Sequence, residues 1–155
     1  MLIPFFRDAA PQTVAEQDHL SAIIKELVPQ AEKAGLVFGF ENTLSAEVNA
    51  RMLDRVASPA FKVFYDVGNL TRAGFDVLKE IRWLGKGRIC QIHLKDKGYL
   101  GEGTVNFPEV MRAIRDIGFQ GFANLETASP SGSVDADVRR NLAYLRRLIA
   151  GNQAG

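Results

Sequence analysis

Short apolar runs alternate along this chain with longer amphipathic stretches. The runs fall at residues 2–6, 36–40, 61–65, 89–94 and 119–125, each brief and β-rich enough for a strand buried on both faces. The stretches between them carry helix punctuation. Thr13-Val14-Ala15-Glu16 has the hydroxyl and the glutamate of a capping box and predicts a helix to about Ala34, closed by Gly35. Pro29 lies inside that stretch and is expected to kink it or split it in two. Ser45 is expected to cap a helix through Val56, and Thr71 another through Leu84. Asn106-Phe107-Pro108-Glu109 puts a cap, a first-turn proline and a glutamate at the start of a helix that Gly118 ends. The last helix is expected from about Asp135 to Ala150, with residues 151–155 as a disordered tail. No linker, repeat or low-complexity block interrupts residues 1–150, so they are expected to form a single domain.

Strand followed by helix five times predicts a parallel sheet of βα units. The 155 residues accommodate five units of about 30 residues each. Eight units would leave roughly 19 each, too few for a complete (β/α)8 barrel of ~250 residues. Two architectures remain. One is an open five-stranded doubly wound sheet. The other is an incomplete (β/α)8 TIM barrel containing the last five βα units, strands four to eight.

Composition narrows the chemistry. Hydrophobic residues make up 46% and charged residues 24%, which describes neither a disordered chain nor a membrane one. Lys and Arg number 19 and Asp and Glu 18, a net +1, so no field recruits nucleic acid or a membrane surface. No apolar run approaches the ~18 residues of a spanning helix, and the first residues lack the pattern of a signal peptide. The single cysteine, Cys90, excludes an internal disulfide and fits a cytoplasmic location. With only His19 and His93 available, a metal site would have to lean on carboxylates.

Such carboxylates stand at the strand ends. The second to fifth runs close with Phe40-Glu41-Asn42, Tyr65-Asp66-Val67, Ile92-His93-Leu94 and Leu125-Glu126-Thr127. Glu41, Asp66, His93 and Glu126 thus mark four successive carboxyl edges, where parallel α/β folds concentrate their chemistry. An open sheet would spread them over about 14 Å at the usual strand spacing, whereas barrel curvature turns them toward one point. Three carboxylates and one imidazole favour Mn²⁺ first, with Mg²⁺ or Co²⁺ as alternatives, over zinc.

Phe38-Gly-Phe-Glu-Asn42, Tyr65-Asp-Val-Gly-Asn69, Ile92-His-Leu-Lys-Asp96, Leu100-Gly-Glu-Gly103 and Asn124-Leu-Glu-Thr127 together resemble the xylose isomerase-like TIM barrels. More narrowly they resemble the sugar phosphate isomerase/epimerase group. The resemblance implies that Glu41, Asp66, His93 and Glu126 ligate a divalent metal and that Glu41 and Glu126 are the catalytic acid–base pair. It implies substrate contacts for Glu47 and Asn69, and Lys95 is a candidate either to stabilise a developing oxyanion or to pair with its neighbour Asp96. Asn69 stands where many relatives carry a histidine, and Lys95-Asp96-Lys97-Gly98-Tyr99 lacks an arginine that relatives often have.

The expected function is isomerisation or epimerisation of a ketose or sugar phosphate through an enediolate. The small-molecule sugar is the partner expected, with neither nucleic acid nor membrane. The resemblance starts at what would be the fourth strand, so the chain is expected to be inactive alone or to need a second chain, such as a dimer partner, over its open barrel edges. Two rivals are a dehydratase of polyols or keto-inositols on the same barrel and a non-enzymatic open-sheet binding module. Convergence of the four strand-end residues within a few ångströms separates the barrel readings from the open sheet. Among smaller features, the Leu100–Thr104 glycine loop is expected to be an ordinary turn or to approach a phosphate, Cys90 to be inert core, and the arginines at 139, 140, 146 and 147 to be solvated.

Overall fold

The computed structural model describes residues 1–3 and 10–151. Its elements run α1 Val14–Lys33, β1 Phe38–Phe40, α2 Ala46–Val56, β2 Phe61–Asp66, α3 Val67–Arg72, α4 Val77–Arg88, β3 Ile89–Leu94, α5 Phe107–Asp116, β4 Phe122–Leu125 and α6 Val134–Gly151. The four strands pair in parallel in the order β1-β2-β3-β4. Leu2 adds a parallel bridge to Phe40. Residues 4–6 of the expected first strand, and residues 152–155 of the expected tail, lie outside the described residues.

Strand order decides between the two architectures. A doubly wound sheet reverses direction at a switch point, so some sequence neighbours are not sheet neighbours. Here every strand lies beside its predecessor. Crossovers of uniform hand then put the helices on one side, and successive helices indeed pack on each other, α1 on α2, α2 on α4, α4 on α5 and α5 on α6. Strands in sequence order under a single helical layer form part of a TIM-barrel wall. The open doubly wound sheet is excluded for the described residues.

The core fills the space between sheet and helices. Phe40, Phe61, Val63, Tyr65, Ile89, Ile92 and Leu94 from the strands meet Ile24, Met52, Leu53, Ile81, Phe107 and Val110 from the helices, all buried. The opposite, inner sheet face is lined by Gly39, Phe64, Cys90, Gln91, His93 and Asn124 around a cavity of about 340 Å³. The Cys90 thiol is half-buried there, donates to the Val63 carbonyl at 3.3 Å, and is pushed up in pKa by burial, which suppresses the reactive thiolate. No helix among the described residues is long and apolar enough to cross a membrane.

Caps account for most boundaries. Thr13 and Glu16 form the expected capping box, Ser45 caps α2, and Asn106 caps α5. Two strands start later than their apolar runs. Leu36 N–H donates to the Ala31 carbonyl and Phe119 N–H to the Ile114 carbonyl, after Gly35 and Gly118 at positive φ. Both residues therefore complete the closure of the preceding helix before pairing begins.

Two helix expectations are corrected. Thr71 does not start a helix. Asp66 caps a short α3 directly off β2, the Thr71 hydroxyl donates back to the Val67 carbonyl at 2.7 Å, and Asp76 caps α4. Pro29 does not split α1, which runs unbroken past it. Pro29 and Lys25, whose carbonyl loses its donor, are both solvent-exposed, so water can satisfy that carbonyl.

One carboxylate fastens the last helix. Asp137 accepts from the Tyr99 hydroxyl at 2.7 Å, the Ser129 hydroxyl at 2.8 Å and the Ser131 N–H at 3.0 Å. Desolvation opposes its charge, but these donors outweigh that and hold its pKa at about 2. A depressed carboxylate pKa stabilises the fold above the unfolded value of roughly 4 and ceases to do so as pH falls through the folded value. Asp137→Asn is therefore expected to lower the melting temperature at pH 7, with the deficit shrinking between about pH 4 and pH 2. Thermal melts of both proteins across that range check it.

Candidate active site

The four strand-end residues reach their places by different local means. Glu41 follows β1, and its N–H donates to the Leu2 carbonyl at 3.0 Å. The next residue, Asn42, is buried and exchanges carboxamide hydrogen bonds with Asn49 at 2.8 and 3.1 Å. It also accepts from Leu44 N–H at 2.8 Å. That pair fixes the turn leaving Glu41. Asp66 ends β2 and is paired in register with His93 on β3. Glu126 follows β4 and donates its N–H to the Leu94 carbonyl at 3.2 Å. The Phe64 ring lies 4.4 Å from the His93 ring and confines it.

The four converge. One ligand atom from each of Glu41, Asp66, His93 and Glu126 lies within 4.8 Å of the others. His93 Nδ1 is 3.2 Å from Glu41 Oε1, 3.3 Å from Glu126 Oε2 and 3.9 Å from Asp66 Oδ2. Lys95 Nζ stands 2.9 Å from Glu126 Oε1 and 3.8 Å from Asp66 Oδ2. Lys95 thus serves this cluster, not its neighbour Asp96.

Asp66 carries the most telling detail. Its Oδ1 accepts from the N–H groups of Gly68 at 2.8 Å and Asn69 at 2.9 Å. Its Oδ2 is buried with no hydrogen-bond partner. An orphaned carboxylate oxygen is costly in a protein interior, and a cation is what usually compensates it. Desolvation pushes the Asp66 carboxyl up in pKa, against the Asn69 N–H and Lys95. Desolvation likewise raises Glu41, with His93 opposing and Asp66 and Glu126 reinforcing. Counted formally, three carboxylates less one ammonium leave −2, which a divalent cation neutralises. The donor set therefore fits such an ion.

The other expected site residues separate from this cluster. Glu47 is exposed in the first turn of α2, its carboxyl held below the usual range by its own backbone N–H and by Ser45. Asn69 is buried. Its backbone serves Asp66, and its side-chain oxygen takes a hydrogen bond from Arg72.

Two polar residues position the site in ways the sequence reading did not give them. Glu80 on α4 is buried and accepts from Ala46 N–H and the Tyr65 hydroxyl, both at 2.9 Å, joining α4 to α2 and β2. Asp96 accepts from four backbone N–H groups, those of Lys97 at 2.9 Å, Thr104 at 3.0 Å, Gly101 at 3.1 Å and Gly103 at 3.2 Å. The glycine loop is thus wound around its own carboxylate. An acidic residue five and seven positions before two glycines was the available signal.

A Cβ on Gly103 would stand 1.9 Å from Asp96 Oδ1. Gly103→Ala must therefore expel that carboxylate and is expected to cost about 1–3 kcal/mol, the usual penalty for stripping a hydrogen-bonded group. Denaturant titration checks the cost, and faster amide exchange confined to residues 96–104 checks the cause.

Comparison with known proteins shows the family and the fold. The pattern of the xylose isomerase-like TIM barrels matches residues 4–148. A 2-epi-5-epi-valiolone 7-phosphate 2-epimerase from Actinoplanes sp. is 32% identical over 96 residues, covering 62% of this chain and 36% of the epimerase. Among solved structures, D-allulose 3-epimerase from Methylomonas sp. superposes with a TM-score of 0.79 at 19% identity, over 90% of this chain and 58% of that one. The IOLI protein with a bound zinc atom gives a TM-score of 0.79 at 15% identity, over 96% of this chain and 62% of that one. The chain spans less than half the length of the curated relatives it matches.

Proposed function

The chain belongs to the xylose isomerase-like TIM barrels, and from that premise we propose that it carries the metal-binding and proton-transfer centre of a sugar isomerase or epimerase. The observation that supports this most is the convergence of Glu41, Asp66, His93 and Glu126 around the orphaned Asp66 Oδ2. These four would hold a divalent cation, Mn²⁺ foremost because the set is rich in oxygen. When bound, such a cation supplies Lewis acidity that polarises a carbonyl and acidifies the adjacent C–H.

The protein's own groups do the rest. Glu41 and Glu126 come from the two outer strands of the described sheet, so they approach a sugar from opposite sides. One removes the proton next to the carbonyl, and the enediolate is reprotonated by the other or by the same residue. Reprotonation from the opposite side at the same carbon inverts it, an epimerisation. Return of the proton to the neighbouring carbon interconverts aldose and ketose. Lys95, at 2.9 Å from Glu126, holds that carboxylate in place and adds positive charge beside the developing enediolate. Asp66 and His93 orient the cluster. Glu47, in the first turn of α2, and Asn69, in α3, are the substrate contacts.

Relatives support sugar chemistry at such a site. The matched proteins include a 2-epi-5-epi-valiolone 7-phosphate 2-epimerase and a D-psicose 3-epimerase. Incubation of the Mn²⁺-loaded protein within a complete (β/α)8 barrel, with ketoses and ketose phosphates in D₂O, is expected to place deuterium next to the carbonyl. Mass spectrometry that finds no deuterium in any of them overturns the reading.

A further inference from the structure

A second cavity adjoins the cluster. It measures about 600 Å³ and is lined by Gly68, Thr71, Arg72, Lys95, Asp96, Lys97, Thr104 and Val105, a size that admits a small sugar derivative. Lys95 belongs to both places, because its ammonium reaches Glu126 and Asp66. Gly68 keeps the two close. A Cβ there would stand 2.6 Å from the Lys95 carbonyl oxygen, so only glycine lets the start of α3 lie against the end of β3.

The charges in this cavity are unevenly committed. Asp96 is its one carboxylate, and four backbone N–H groups already saturate it. Arg72 gives a hydrogen bond to the Asn69 side chain and has no carboxylate partner among the described residues. Lys97 is exposed, and its ammonium has no partner among them. The Thr104 hydroxyl is likewise uncommitted there, while the Thr71 hydroxyl donates to Val67 and keeps its lone pairs for accepting. An acid-rich centre thus stands beside a pocket holding two cations without a carboxylate partner and one uncommitted hydroxyl among the described residues.

We propose that this cavity is the subsite for the phosphate of a phosphorylated ketose, with Arg72 and Lys97 as its charged ligands and Thr104 as a hydroxyl donor. The proposal rests on the sugar-chemistry reading of the adjoining cluster. A ketose phosphate has the matching polarity, since one end is a neutral carbonyl-bearing polyol and the other a dianion. Guanidinium and ammonium groups are the usual partners for phosphate oxygens. The glycine loop plays no part as an anion cradle, because its amides are spent on Asp96.

Calorimetric titration of the Mn²⁺-loaded protein with D-ribulose 5-phosphate and with D-ribulose tests this. The phosphorylated sugar is expected to bind at least tenfold more tightly, with the preference declining as salt rises. The double variant Arg72→Gln/Lys97→Gln is expected to bring the ratio close to one while keeping the parent's Mn²⁺-induced rise in melting temperature. Equal affinities, binding of neither sugar, or a preference that survives the double variant overturns the subsite. A preserved phosphate preference without any metal-linked rise overturns the metal centre instead and leaves the subsite standing.

Discussion

Saturating Mn²⁺ is expected to raise the melting temperature of this protein by about 5–10 °C, and Asp66→Ala or His93→Ala to remove that rise. A ligand bound only by the folded form at one hundred times its dissociation constant stabilises by ~2.7 kcal/mol. For a chain of this size each kcal/mol moves the midpoint by roughly 2–4 °C. Asp66 deserves the closest test because its two oxygens have separable duties. Oδ1 caps α3 through Gly68 and Asn69, whereas Oδ2 is buried without a partner. Asp66→Asn can keep the cap and loses the charge, so its melting temperature without metal should stay nearer the parent's than that of Asp66→Ala. Its gain with metal should still fall well below the parent's. Equal gains in the parent, Asp66→Ala and His93→Ala would mean that the ion binds elsewhere.

The legibility of the site follows from which signals are local. A strand end followed by a capped helix is written in adjacent residues, so the edges carrying Glu41, Asp66, His93 and Glu126 could be read along the chain. Their convergence depends on strand order and sheet curvature, which belong to pairings between distant segments. The motifs therefore left the open sheet as a rival, and only the β1-β2-β3-β4 order removed it. Thr71 was misread because a threonine before an amphipathic stretch satisfies the local rule for a cap. Asp66 had already started a helix five residues earlier, and its carboxylate competed successfully for the free N–H groups. The structural roles of Glu80, Asp96 and Asp137 were missed for a related reason. Their partners lie as far as 34, 8 and 38 residues away, and an isolated acidic residue in a helix or loop usually faces water.

These carboxylates also explain how a site made of loop-side residues is held. Glu80 fixes the start of α2, which follows the Glu41 turn. Asp96 folds the loop after β3 onto itself, and Asp137 ties Tyr99 of that loop to α6. Each satisfies backbone or hydroxyl donors that a βα loop would otherwise expose, and each sits one step behind a member of the cluster. Rigidity of this kind is what proton transfer between two fixed carboxylates requires.

Exchange patterns in two glutamine variants should then reveal which reaction the site performs. Glu41→Gln and Glu126→Gln remove the proton acceptor and keep an oxygen that can still face a cation, so both are measured within a complete (β/α)8 barrel at saturating Mn²⁺. Loss of a positioned general base ordinarily costs 10²–10⁴ in rate, an approximate range for such groups. With two bases on opposite sides, each variant should lose interconversion by about that factor. Each should nevertheless still exchange the proton of the one epimer that faces its remaining glutamate. Glu41→Gln would then label one epimer and Glu126→Gln the other, a mirror-image pattern that marks an epimerase. If a single glutamate carries the proton between neighbouring carbons, its variant alone should lose both exchange and turnover, which marks an aldose–ketose isomerase. Asp66→Asn is the control, since that carboxylate is assigned to the cation and to the α3 cap and to no proton. It should retain exchange once metal is saturating. Near-parental exchange and turnover in both glutamine variants would remove Glu41 and Glu126 from the proton path, leaving the cluster a metal centre whose base lies elsewhere.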